Sequence, residues 1–67
     1  MAVFNREDLI AAATAFKSEG DNKSAYRKVR TVLLERHPEF ARFDEPRLSR
    51  RVSEVLSIAV LAGYLYL

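Results

Sequence analysis

Phe4-Asn5-Arg6-Glu7-Asp8-Leu9-Ile10-Ala11-Ala12-Ala13-Thr14-Ala15-Phe16 decides the fold. Asn5 is a good N-cap, because its side-chain oxygen can accept from one of the backbone N–H groups that the first helical turn leaves unpaired. Asp8 stands three residues on and can reach back, as a short version of the capping box. Phe4 and Leu9 occupy the positions of a hydrophobic staple, and Glu7 and Asp8 suit the positive end of a helix dipole. The run from Leu9 to Phe16 has high helix propensity, and Leu9, Ala13 and Phe16 fall on one face. With Gly20 as the C′ residue, the signals predict a helix over residues 6–19.

Outward from that helix the same grammar repeats. Asp21, Asn22, Lys23 and Ser24 form a turn in which Asp21 or Ser24 caps the next helix. Tyr26, Val29, Val32 and Leu33 then make an apolar stripe, with Arg27, Lys28, Arg30 and Thr31 opposite. Pro38 disfavours helical geometry at His37 and ends the helix there. Phe40 and Phe43, three apart, fit a single helical turn whose rings plug the open end of a bundle. Asp44, Glu45 and Pro46 are a second start signal, with proline in the first turn where its missing N–H costs nothing. Leu48, Val52, Val55, Leu56 and Ala59 form the core stripe of a third helix.

Beyond Ser57 the periodicity is lost. Ile58, Val60, Leu61, Tyr64, Leu65, Tyr66 and Leu67 are apolar on every side. Either this segment is an all-round apolar helix that needs cover, or Gly63 stops the helix and residues 64–67 continue as a strand or extended tail. The expected fold is all-α: one domain over residues 1–67, a small three-helix bundle with a helix-turn-helix-like order and an apolar C-terminal end.

Composition narrows the function classes. The 67 residues are 49% hydrophobic and 30% charged, too apolar for intrinsic disorder. A domain of this size buries only about 60% of its unfolded surface, so it has little stability to spare. There is no Cys, which excludes disulfides and thiolate metal sites. His37 is the only histidine, so neither a metal nor another cofactor is expected. The polar start and the short apolar end argue against a secretory leader and a membrane span, and the expected location is cytoplasmic.

Catalytic groups do not assemble either. Glu7/Asp8 and Asp44/Glu45 sit where helix starts want negative charge, and His37 suits a helix C-terminus. The serines lack a nucleophile elbow, and no phosphate loop or glycine fingerprint is present. The expectation is a protein that is not an enzyme and takes no small-molecule substrate.

Charge distribution gives the sharpest clue. The net charge is +2, yet residues 23–51 hold nine Lys and Arg against four acids, an excess of five positive charges. Lys23, Arg27, Lys28 and Arg30 lie on or just before the solvent side of the second helix. Arg47, Arg50 and Arg51 crowd the first turns of the third, the end from which a recognition helix meets bases and phosphates. Ion pairing of Arg50 with Glu54, and of Arg47 with Asp44 or Glu45, is the competing use of these cations. The expected function is a small DNA-binding accessory or regulatory protein, a dimer paired through its apolar end. The alternative is a protein-binding adaptor, inhibitor or small subunit anchored by Phe40, Phe43, Val60, Leu61, Tyr64 and Tyr66 within an arginine rim.

Two short strings resemble known families. Residues 52–56 through Ala62-Gly63-Tyr64-Leu65 look like the end of a winged-helix module, which implies a strand after the glycine turn. Asp8-Leu9, Ala11-Ala12-Ala13 and Ala15-Phe16-Lys17 are similar to the first helix of the theta subunit of bacterial replicative polymerase. Neither string carries a residue role across.

Overall fold

The structure, a computed structural model, describes residues 3–66 and consists of three α-helices and one 3-10 turn. Helix α1 spans Arg6–Lys17, α2 spans Asn22–Arg36, the 3-10 turn spans Pro38–Arg42 and α3 spans Glu45–Leu61. No strand occurs among the described residues, and the fold is an all-α three-helix bundle.

Each helix begins where the capping residues place it. Asn5 Oδ1 accepts from Asp8 N–H at 2.9 Å, and Asn5 N–H donates to Asp8 Oδ2 at 3.1 Å, completing the capping box. The Asp21 carboxylate accepts from Ser24 N–H, so Asp21 rather than Ser24 is the cap of α2. Asp44 accepts from Arg47 N–H at 3.1 Å and caps α3, with Pro46 in the first turn.

The core lies where the three helices meet. Ala12, Ala13 and Ala15 of α1 are buried, and these small side chains let α1 approach both α2 and α3. From α2 the buried stripe is Ala25, Val29 and Leu33, spaced by four. Tyr26, expected on that stripe, is exposed and meets Phe16 edge-on instead. From α3 it is Leu48, Val52, Val55, Leu56 and Ala59, as the periodicity requires.

The two glycines differ. Gly20 does not form the expected C′ residue: α1 ends earlier, at Ser18 in right-handed geometry, and Gly20 has no positive φ. Gly63 does, with φ +87°. Its N–H donates to Val60 O at 3.1 Å and Tyr64 N–H donates to Ala59 O at 2.9 Å, the paired bonds of a Schellman motif. An L side chain at that φ costs on the order of 1–2 kcal/mol. Gly63→Ala is therefore expected to lower Tm by roughly 5–10 °C, although no atom lies within 4 Å of the added Cβ. Gly20→Ala has the same open space without the backbone penalty. It should leave Tm unchanged or slightly raised, and parallel thermal melts of the two variants check the contrast.

The helix stop at Gly63 decides between the two readings of the C-terminal end in favour of the extended tail after the glycine. The end is neither an all-round apolar helix nor the strand of a winged-helix module. Leu65 folds back into the core and is buried, Ile58, Val60 and Tyr64 are half-buried, and Leu61 and Tyr66 stay exposed. Leu67 lies outside the described residues.

Candidate nucleic-acid interface and the clasp behind it

Of the seven cations singled out in the sequence, the fold groups six in two places. Lys23, Arg27 and Arg30 of α2, with Tyr26, line a shallow groove closed on the other side by Ser49 and Val52 of α3. Arg47, Arg50 and Arg51 line a second groove, of about 520 Å³, together with Phe43. Lys28 turns to the other side of α2 and meets Glu19 at 3.6 Å.

The ion pairs are not those the sequence suggested. Glu54 pairs with Arg51 at 2.8 Å rather than with Arg50, and Glu45 pairs with Arg30 rather than with Arg47. Asp44 is occupied by the backbone of Arg47. Among the described residues, Lys23, Arg27, Arg47 and Arg50 have no carboxylate within ion-pair distance. Arg47, Arg50, Glu54, Ser57 and Leu61 follow at spacings of three and four, so they share the outward face of α3. That face is cationic in its first half and ends in an apolar side chain.

Behind the second groove stands a column of planar groups. A 3-10 turn eclipses side chains three apart, and the segment around Pro38 does so with His37, Phe40 and Phe43. His37 stacks on Phe40 at 4.9 Å and Phe40 on Phe43 at 5.2 Å, with interplanar angles of 16° and 20°. Phe4 meets the edges of His37 and Phe40. The Arg51 guanidinium lies 6.0 Å from the Phe40 centroid and 5.7 Å from that of Phe43, within cation–π range. Phe40 is enclosed in the monomer, as the plug reading required; it therefore packs the core and is not an anchor for a partner. Phe43 is half-buried and lines the groove.

The column is held at its far end by Asp8, which is 2% exposed. Besides closing the capping box, Asp8 accepts from Arg36 Nε at 2.6 Å and from His37 Nε2 at 2.9 Å. This clasp ties the start of α1 to the end of α2. Burial alone would raise the Asp8 carboxyl, but the bonds from Arg36, His37 and Asn5 N–H, with the charge of His37, hold it below its ordinary 3.8. Burial alone would lower the His37 imidazole, but the bond to Asp8, the charge of Asp8 and the nearby Glu39 hold it above its ordinary 6.5.

Sequence reasoning assigned Asp8 a cap only and His37 a dipole role only, and it did not single out Arg36. One signal was present: Asp8, Ala12 and Ala15 stand at i, i+4 and i+7, which places the carboxylate on a buried face of α1. Both ring nitrogens of His37 face carboxylates, Asp8 at Nε2 and Glu39 at Nδ1. The arrangement is suited to holding structure rather than to moving a substrate proton.

Fold and site together define a small helical bundle with a cationic, partly aromatic face. No family model matches the chain, and no curated protein or solved structure matches it either. Among the described residues no helix is long and apolar enough to cross a membrane, and no group of three His, Asp or Glu side chains is placed to hold a metal ion.

Proposed function

We propose that this protein is a small non-enzymatic DNA-binding accessory protein that lays the outward face of α3 and the adjoining flank of α2 on the phosphate backbone. The observation that supports this is that Lys23, Arg27, Arg47 and Arg50, on elements that meet at the α2–α3 groove, have no carboxylate partner among the described residues. Arg30 adds to it, because an exposed ion pair is worth only about 0–1 kcal/mol and exchanges readily for phosphate. Such a face supplies affinity through counterion release. About four phosphate contacts imply a slope near −3.6 in log affinity against log salt.

Binding to a random-sequence duplex is therefore expected to weaken by about a hundredfold between 50 and 200 mM salt. The double substitution Arg47→Ala, Arg50→Ala should halve that slope. Fluorescence anisotropy across a salt series measures both. A chain that retains no duplex even at low ionic strength is not a DNA-binding protein, and the proposal fails.

A second reading has one observation in its favour: Leu61 and Tyr66 are 86% and 93% exposed. With half-buried Val60 and Tyr64 they offer anchors for a protein partner or a second copy, and the arginines would form the rim. A stoichiometric protein recovered from nuclease-treated extract, and lost on Leu61→Ser with Tyr66→Ser, favours this reading over the first.

A further inference from the structure

Each groove sets a ring beside its cations, Tyr26 in the α2–α3 groove and Phe43 in the second, and duplex binding uses neither ring. Phosphates of a duplex ask for cations and hydrogen-bond donors. In the second groove Phe43 stands beside three guanidinium groups and is backed by the stacked column of Phe40 and His37. In a duplex every base is stacked on its neighbours and presents no free face to an aromatic side chain. An unpaired base does, and aromatic rings and guanidinium planes are the surfaces on which such bases stack.

Resting on the DNA-binding reading, we infer that the Phe43 groove takes an unpaired nucleotide at a single-stranded end or junction. The base stacks against Phe43 and Arg51, and the flanking phosphates lie on Arg47 and Arg50. The partition of roles follows the geometry. Arg51 is turned over the two rings and fixed by Glu54, so it extends the stacking wall. Arg47 and Arg50 have no carboxylate partner among the described residues and are free to meet phosphate.

The wall is also packed in place before any ligand arrives. Phe43 is backed by Phe40, which is 4% exposed, and Phe40 by His37, itself bonded to the buried Asp8. A ring pinned in this way loses little freedom on binding, which is what a stacking platform needs. The groove volume lies within the range of small-ligand sites. Beyond the groove, Lys23 and Arg27 continue the cationic surface onto α2, where the paired part of the same strand would run.

The experiment compares a blunt duplex with the same duplex carrying a short single-stranded overhang, each titrated at one fixed salt concentration. Wild-type protein is expected to bind the overhang form about tenfold tighter, within the range of stacking one base. Phe43→Leu should bring the overhang-to-blunt affinity ratio down to about one, and Phe43→Trp should keep or increase it. The rescue by tryptophan separates stacking from mere packing, and the overhang-to-blunt ratio remains readable even if the leucine variant melts earlier. Equal binding of the two duplexes by the wild type overturns this inference and leaves the proposed function standing, as does a Phe43→Leu variant that weakens both alike. Retention of neither duplex removes both.

Discussion

Asp8→Ala is expected to lower the melting temperature of this domain by roughly 15 °C, a larger loss than that expected at Gly63. The magnitude follows from what the carboxylate does. It receives the Asn5 N–H of the capping box, the Arg36 guanidinium and the His37 imidazole, all at a position almost closed to water. Removing one partner of a buried ionic cluster costs about 3 kcal/mol or more, because the remaining charges are left without compensation. Loss of the cap contributes about 1 kcal/mol of that total. For a domain of this length each kcal/mol moves Tm by about 4–8 °C, and the whole stability of such a domain is on the order of 3–10 kcal/mol. The variant should therefore sit close to its unfolding threshold at 37 °C. Arg36→Met added to Asp8→Ala should recover part of the loss, since it removes a charge the carboxylate no longer compensates. Circular-dichroism melts of wild type, single and double variants give the cycle. A drop of less than about 4 °C for Asp8→Ala, within the effect of a lone cap, would reduce the residue to that role.

Local rules read the helices well and the interactions between them badly, and the reason is physical. Capping and periodicity are properties of neighbouring residues, so Asn5, Asp21, Asp44 and Gly63 could be recognised in one dimension. The Asp8–Arg36 and Asp8–His37 bonds span 28 and 29 residues, and no local rule reaches that far. The ion pairs failed for a related reason. Glu54 has Arg50 and Arg51 within reach at i−4 and i−3, and the choice of Arg51 is fixed by Phe40 and Phe43, which hold its guanidinium from another element. Glu45 was drawn off by Arg30 of α2. Both corrections free cations that local pairing had set aside, Arg47 and Arg50. The apolar C-terminal end was overestimated because periodicity cannot show a chain folding back, as Leu65 does after the Gly63 turn.

The column joins what sequence reading kept apart. Asp8 fixes His37, His37 backs Phe40, and Phe40 backs Phe43 at the edge of the basic groove. Stability and the shape of the proposed binding face thus share one set of contacts. The spacing 37, 40, 43 makes this possible, because a 3-10 turn eclipses side chains at that interval. An ordinary α-helical turn at Pro38–Arg42 would fan the same rings around its axis by about 60° per step.

Because the clasp holds two titrating groups, thermal stability should peak in the window between pH 3.8 and 6.5, the ordinary values of its carboxyl and imidazole. The folded Asp8 lies below its ordinary value, so its contribution is present above pH 3.8 and is lost as pH falls through the lowered folded value. The folded His37 lies above its ordinary value, so its contribution is complete below pH 6.5 and is lost as pH rises through the raised folded value. The two limbs should differ in depth. Protonating Asp8 discharges the acceptor of the whole cluster, and in acid the wild type should approach Asp8→Ala. Deprotonating His37 leaves an Nε2–H that can still donate to Asp8 and removes only the charge and the contact of Nδ1 with Glu39, so the alkaline loss is shallower. His37→Gln should flatten the alkaline limb alone. Asp8→Asn should flatten both, because the imidazole owes most of its elevation to that carboxylate. Tm measured from about pH 3 to 9 for the three proteins tests the coupling, the acid limb being read as wild type minus Asp8→Asn to cancel the other carboxylates. A wild-type profile level from pH 5 to 9, or an alkaline slope that survives His37→Gln, would mean that the charge on His37 adds nothing to the clasp and that Arg36 alone holds Asp8.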